Sequence, residues 1–328
     1  MHLLNRTKTD PALKRNYLAG LKAFALWARN PVSEFGASQN FKMVFAVGGP
    51  TIRRMVDRMR AHPEGRRILA DRPDLGAALN DMQALKKLPE ASMGRTYYEF
   101  MSGEGIIPGY VLAGLAYKGG DFDRLEWPEE MKWLVERIGN THDMTHMLSG
   151  YGADLAGETL NIAFSLGLYA PSPFMRNLTR LEALGTGLVF RPKCGMTKWM
   201  QYMLEAYERG AGASKKTPFN CVYFEELLPL SLEEVRGRLG VMPPKNPTVL
   251  HTEDWYTSKL AEQAANGYGA MDKAMERIEC TKAMVESGIA AKAIMRAPRK
   301  DADRARQMFQ QGARNEAVLQ ALEAHPRV

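Results

Sequence analysis

The stretch His142-Asp-Met-Thr-His146-Met-Leu-Ser-Gly150-Tyr-Gly152-Ala-Asp-Leu-Ala-Gly-Glu158 decides how this chain is read. His142 and His146 are one helical turn apart, so both imidazoles can reach a single point. The approach is helical. Pro128 suits a first helical position, and Glu129 and Glu130 favour the positive end of the helix dipole. Met131, Leu134, Val135 and Ile138 recur at helical spacing, and the same stripe continues to both histidines. Ser149-Gly150-Tyr151-Gly152 breaks the pattern. A second helix is predicted from Asp154, a good N-cap residue, to about residue 169. On one straight helix Glu158 would lie about 18 Å from His146, at roughly 1.5 Å per residue. The glycine turn is therefore required if Glu158 is to meet the histidines, and the two helices are expected to pack antiparallel.

Two histidines with one or two carboxylates form a first shell for a divalent metal. The expected ligands are His142, Asp143, His146 and Glu158, with Asp143 also the candidate catalytic residue. The alternative is two satisfied core histidines beside an unrelated salt bridge. Four ionisable side chains on an apolar surface argue against it, because unpaired buried charge costs several kcal/mol. The second position is Asp rather than the Glu of a zincin, so it is suited to bind or orient rather than to reach out as a base.

Composition sets the frame. The 328 residues, 45% of them hydrophobic, can bury a sizeable core. No run approaches the roughly 18–20 apolar residues of a membrane span. The first residues hold no continuous apolar run, so no secretory signal is expected. Cys194, Cys221 and Cys280 are odd in number and far apart, which suggests neither a disulfide framework nor a thiolate zinc site. A reducing, cytoplasmic setting follows. The net charge is +7, with seven arginines between Arg53 and Arg72. That segment reads either as a solvated helix face or as an attraction to anionic lipid headgroups or a phosphorylated ligand. Nucleic acid is not expected as a partner, since no recognisable module accompanies the basic run.

The rest of the chain reads as helix after helix, at 11–29, 50–60, 63–70, 92–102 and 196–209. Residues 103–127 and 210–218 read as loops. The apolar segment 174–190 is punctuated by Gly185 and Gly187. Ser231-Leu-Glu-Glu234 is a capping box, with Gly240 at the stop. Short strand candidates fall at 188–190 and 221–224. The expected fold is all-α. It comprises an N-terminal helical arm (1–40), a helical core with the metal motif (41–250) and a helical C-terminal extension (251–328) with a disordered tail. There is no nucleotide-binding glycine fingerprint, nucleophile elbow or Walker loop.

The motif resembles that of the coenzyme Q (ubiquinone) biosynthesis protein 4 family. Its His-Asp-x-x-His-x(11)-Glu pattern matches His142, Asp143, His146 and Glu158 at the same spacing. The likeness extends to the segments His62–Pro73, Leu88–Phe100 and Glu226–Gly240, the last followed by Pro243-Pro244. It covers residues 41–245; the C-terminal extension departs from it.

The resemblance implies a helical protein that acts on late ubiquinone intermediates near a membrane. It implies a divalent metal, zinc or iron, at the motif and a prenyl lipid in an apolar tunnel. Leu160, Phe164, Leu188 and Phe190 are the expected tunnel wall. One implied role is metal-dependent decarboxylation and hydroxylation at C1 of a polyprenyl-hydroxybenzoate. The other is a non-catalytic platform that holds lipid intermediates and other ubiquinone biosynthesis proteins together. Prenylated quinone precursors and an anionic membrane surface are the implied partners. The expected location is cytoplasmic, peripheral to the inner membrane, and a homo-oligomer is left open.

Overall fold

Side-chain caps and glycines set the helix ends. The computed structural model describes residues 14–29, 39, 42–43, 45–104, 126–152, 155–244 and most of 280–324. In chain order the helices are α1 (Tyr17–Arg29), α2 (Gly49–Ala61), α3 (Pro63–Asp71), α4 (Leu75–Asn80), α5 (Met82–Lys86) and α6 (Met93–Glu104). They continue with α7 (Glu129–Ser149), α8 (Leu155–Tyr169), α9 (Pro173–Cys194) and α10 (Met196–Lys216). The last are α11 (Phe224–Leu227), α12 (Leu232–Leu239), α13 (Arg299–Gln310) and α14 (Asn315–Glu323). No strand occurs among the described residues; Ser92 and Ser231 make an isolated antiparallel bridge. The fold is all-α.

The Asp74 and Asp81 side chains each accept a first-turn N–H of α4 and α5, at 2.8 and 2.9 Å. Half of the capping box forms: Ser231 Oγ accepts from the Glu234 N–H at 3.1 Å, while the Glu234 carboxylate accepts from Arg238 at 2.7 Å, and Gly240 closes α12 at φ 71°. Such caps are each worth about 1 kcal/mol.

The chain divides into two compact units. One comprises residues 51–101 and 128–267 and contains the motif. Its centre is α8, which packs along α10 and against α7 and α9. Leu160, Ala163, Phe164 and Leu168 of α8 are buried, as are Trp199, Met203 and Ala206 of α10. Two glycines let these helices close up. A Cβ on Gly167 would collide with the Tyr207 carbonyl oxygen, and one on Gly210 with that of Phe164. The Tyr207 hydroxyl ties α10 to the α8–α9 junction, donating to the Ser172 carbonyl at 2.8 Å. The other unit comprises residues 1–50, 102–127 and 268–328. Within it Cys280, Met284, Ile289, Ile294, Val318 and Leu322 build a separate apolar cluster.

Three readings need correction. Residues 188–190 are not a strand but the end of the 22-residue α9, which starts where Ser172 Oγ caps the Met175 N–H at 3.2 Å. Residues 221–224 lie in a 3₁₀ turn (Phe219–Cys221) and at the start of α11. Residues 210–216 continue α10, because Gly210 is held helical by its close approach to α8. The proposed cap at Asp154, most of the loop 103–127 and the start of the C-terminal extension lie outside the described residues.

Candidate metal centre

The two motif helices form at the expected places. α7 begins after Pro128 and ends at Gly150, whose φ of 80° is the left-handed conformation that glycine tolerates best. The Gly150 N–H closes the helix on the His146 carbonyl at 2.8 Å. The chain then reverses, and α8 presents Glu158 from its first turn.

Glu158 sits between the two imidazoles. Its Oε2 is 3.3 Å from His142 Nε2, and its Oε1 is 3.4 Å from His146 Nε2. The two rings are nearly perpendicular, with centroids 5.1 Å apart. One ligand atom from each of His142, His146 and Glu158 falls within 4.8 Å of the others, close enough to share one cation. Asp143 is buried but is not part of that group, since adjacent helical residues point about 100° apart.

The centre is closed on one side and open on the other. The His146 side chain is 2% exposed, whereas those of His142 and Glu158 are 36% and 33% exposed. His146 Nδ1 lies 3.0 Å from the Tyr151 carbonyl oxygen. A carbonyl only accepts, so Nδ1 carries a proton; Nε2 faces Glu158, donating to it when protonated and offering its lone pair when a cation takes that proton's place. Phe100 stacks on the His146 ring at 5.7 Å. This partner set suits metal ligation, where the far ring nitrogen typically donates to a carbonyl or carboxylate.

Charge within the group is strongly coupled. Burial opposes the His142 imidazolium, but the hydrogen bond and charge of Glu158, with Asp143, outweigh it and raise the pKa to about 9. Burial would likewise raise Glu158, but the charge of His146 and the hydrogen bonds of both imidazoles hold it well below the usual carboxylate range. An arrangement that binds protons this way offers the same atoms to a divalent cation.

Arginines secure the end of α7, where backbone carbonyls lack helical partners. Arg236 donates to the Met147 carbonyl and, at 3.1 Å, to that of Leu148. Arg209 donates to the Ser149 carbonyl at 3.0 Å. Neither arginine, nor Phe100, nor the Tyr151 carbonyl stood out in the sequence. A backbone oxygen has no residue signature, and the arginines are remote from the motif.

The expected tunnel residues are placed at different depths. Leu160 and Phe164 are fully buried on α8, whereas Leu188 of α9 is 71% exposed. The Phe190 side chain lies outside the described ones. Among the described residues, a cavity of about 10 Å³ beside α7 (Leu134, Arg137, Thr141) and one of about 20 Å³ lined by Met55, Leu168 and Phe219 have room for about one water each, not for a prenyl chain.

The family described as "Coenzyme Q (ubiquinone) biosynthesis protein Coq4" matches residues 21–245. A mitochondrial ubiquinone biosynthesis protein coq4 from Talaromyces stipitatus is 28% identical over 222 residues, 65% of this chain and 70% of that one. Another, from Clavispora lusitaniae, is 24% identical over 280 residues, covering 79% and 81% of the two chains. A COQ4 homolog from Aedes aegypti is 28% identical over 196 residues, 60% of this chain and 65% of that one. With more than half of its length matched, the chain belongs to the Coq4 family of ubiquinone biosynthesis proteins.

Proposed function

We propose that the protein is a metal-dependent enzyme that removes the C1 carboxylate of a polyprenyl-hydroxybenzoate and introduces a hydroxyl there. One observation supports this above the others: among the described residues three protein donors converge, and two of them border an exposed edge. Closed four-ligand sites are typically structural, whereas three ligands and open positions are typical of catalysis. Two histidines with one carboxylate and open positions also form the donor set of non-haem iron oxygenases, which favours iron over zinc for the oxygen chemistry.

When bound, the cation would stabilise negative charge developing on the ring as the carboxylate leaves. The residues supply the rest. His142 and His146 hold the cation through neutral nitrogens, and Glu158 supplies an oxygen and offsets charge. Asp143 supports the basicity of His142 from the buried side. The open edge beside His142 and Glu158 receives the carboxylate of the substrate.

The prenyl tail needs an apolar surface, since each buried methylene is worth roughly 0.8 kcal/mol. The exposed leucine row of α9 (Leu178, Leu181, Leu184, Leu188) offers one. That row also favours a second reading, a platform that carries lipid intermediates at a membrane and meets other biosynthesis proteins. No helix among the described residues is long and apolar enough to cross a membrane.

The test is release of labelled carbon dioxide from a carboxyl-labelled prenylated hydroxybenzoate by metal-loaded protein under oxygen. Release by the wild type and not by His146→Ala is expected. A protein that binds metal and prenyl lipid yet releases none would be a platform.

A further inference from the structure

The turn that aims His146 is itself held from a distant helix. The Tyr151 carbonyl oxygen decides which His146 nitrogen carries the proton, because Nδ1 donates to it at 3.0 Å. Tyr151 follows the end of α7, and its N–H donates to Ser149 Oγ at 3.3 Å. Arg209 of α10, which is 8% exposed, reaches this turn from a distant helix. Its Nη2 donates to the Ser149 carbonyl at 3.0 Å, and its Nε to the Met242 carbonyl at 2.8 Å. Its guanidinium also lies over the Tyr151 ring, 5.3 Å from the centroid. One planar cation thus holds the residue before Gly150 and the side chain of the residue after it. Gly150 alone between them would leave the turn free to rotate.

The geometry points to Arg209 as a positioning residue for the metal centre. Through Ser149 and Tyr151 it keeps the His146 Nδ1–H on the Tyr151 carbonyl, so that Nε2 is the nitrogen turned to Glu158 and to a cation. The inference rests on the metal reading above. The role depends on shape as well as charge. A rigid fork can serve two carbonyls and a ring face together, and an ammonium cannot reproduce it.

Two readouts on full-length protein test this. Imidazole nitrogen NMR of the metal-free protein, assigned with His146→Gln, reports the tautomer of neutral His146. A Co²⁺ titration followed by visible absorption reports affinity. The wild type should show the Nδ1–H form. Arg209→Met should raise the Nε2–H population and weaken Co²⁺ binding by about 10–100-fold, the usual cost of losing a partner that orients a ligand. Arg209→Lys should shift both readouts the same way by less. A tautomer shift in a protein that never binds Co²⁺ would sink the metal reading and leave the positioning role standing. An unchanged tautomer, with Co²⁺ affinity within about twofold of wild type, overturns the role. If Arg209→Met does not fold, Arg209→Lys decides on the same two readouts.

Discussion

At the scale of single residues, Glu158 carries the most consequence, since it contacts both imidazoles. Glu158→Ala and His146→Ala should each abolish metal retention, read as metal-to-protein ratio after dialysis. Asp143→Asn should keep most of it, because Asp143 stands outside the group of shared donors. Equal loss in all three would make Asp143 a ligand. The group also sets a pH dependence. The folded pKa of His142 is raised from 6.5 to about 9, so its stabilising contribution is complete below the lower value and lost as pH rises through the higher. Glu158 is depressed from 4.5, so its contribution is present above that value and lost as pH falls. Metal-free protein should therefore resist denaturant better at about pH 6 than at about pH 9.5. Metal affinity should run the other way, rising about tenfold per pH unit up to about pH 9 as one proton is displaced. A pH-independent affinity would remove His142 from the site. The histidine spacing and Glu158 were legible because helical geometry and a glycine turn dictate where they go. Asp143 was read as a ligand or as an orienter of one; its place beside His142 on the helix keeps it out of the group of three donors, and the Asp143→Asn measurement decides between the two roles.

At the scale of elements, α7 and α8 were legible to within a residue or so, since Pro128, Gly150 and a continuous apolar stripe mark their limits. The end of α9 was not. Leu188, Val189 and Phe190 suit a strand and a helix alike, and only the long run from Pro173 decides. The extent of α10 was also hidden. Gly210 suggests a loop in the sequence, and its purpose is apparent only when α8 lies against it. Gly210→Val should wedge these helices apart and destabilise the fold by at least the 1–3 kcal/mol typical of overpacking, seen as a lower Tm. An unchanged Tm would mean that the contact yields freely. The leucine row of α9 makes a separate prediction. Leu181→Asp with Leu188→Asp should leave Tm and metal content near wild type, because both side chains are exposed, and should reduce binding of a prenylated phenol. Retained lipid binding would move the tail site elsewhere.

At the scale of the molecule, the family match ends at residue 245, and the described C-terminal residues build an apolar cluster of their own. Deleting residues 280–328 should therefore leave metal stoichiometry unchanged; loss of metal would show that this cluster supports the motif. The basic segment 53–72 also reads differently once folded. Arg60 pairs with Asp57 and Glu130, Arg67 with Glu64, Asp71 and Glu226, and Arg58 donates to the Tyr169 carbonyl. At least two of the seven arginines thus meet carboxylates, Glu130 and Glu226 coming from outside the segment, a pairing that no linear count of charge reveals. The arginine clamp at the end of α7 bears on how the chain is made. All three donors are present in the chain once Glu158 is synthesised, but Arg209 and Arg236 follow 51 and 78 residues later. A growing chain therefore carries the histidine pair before it carries the groups that aim it. If Arg209 aims His146, that orientation is completed late in biosynthesis, on the arrival of α10 rather than of the motif itself.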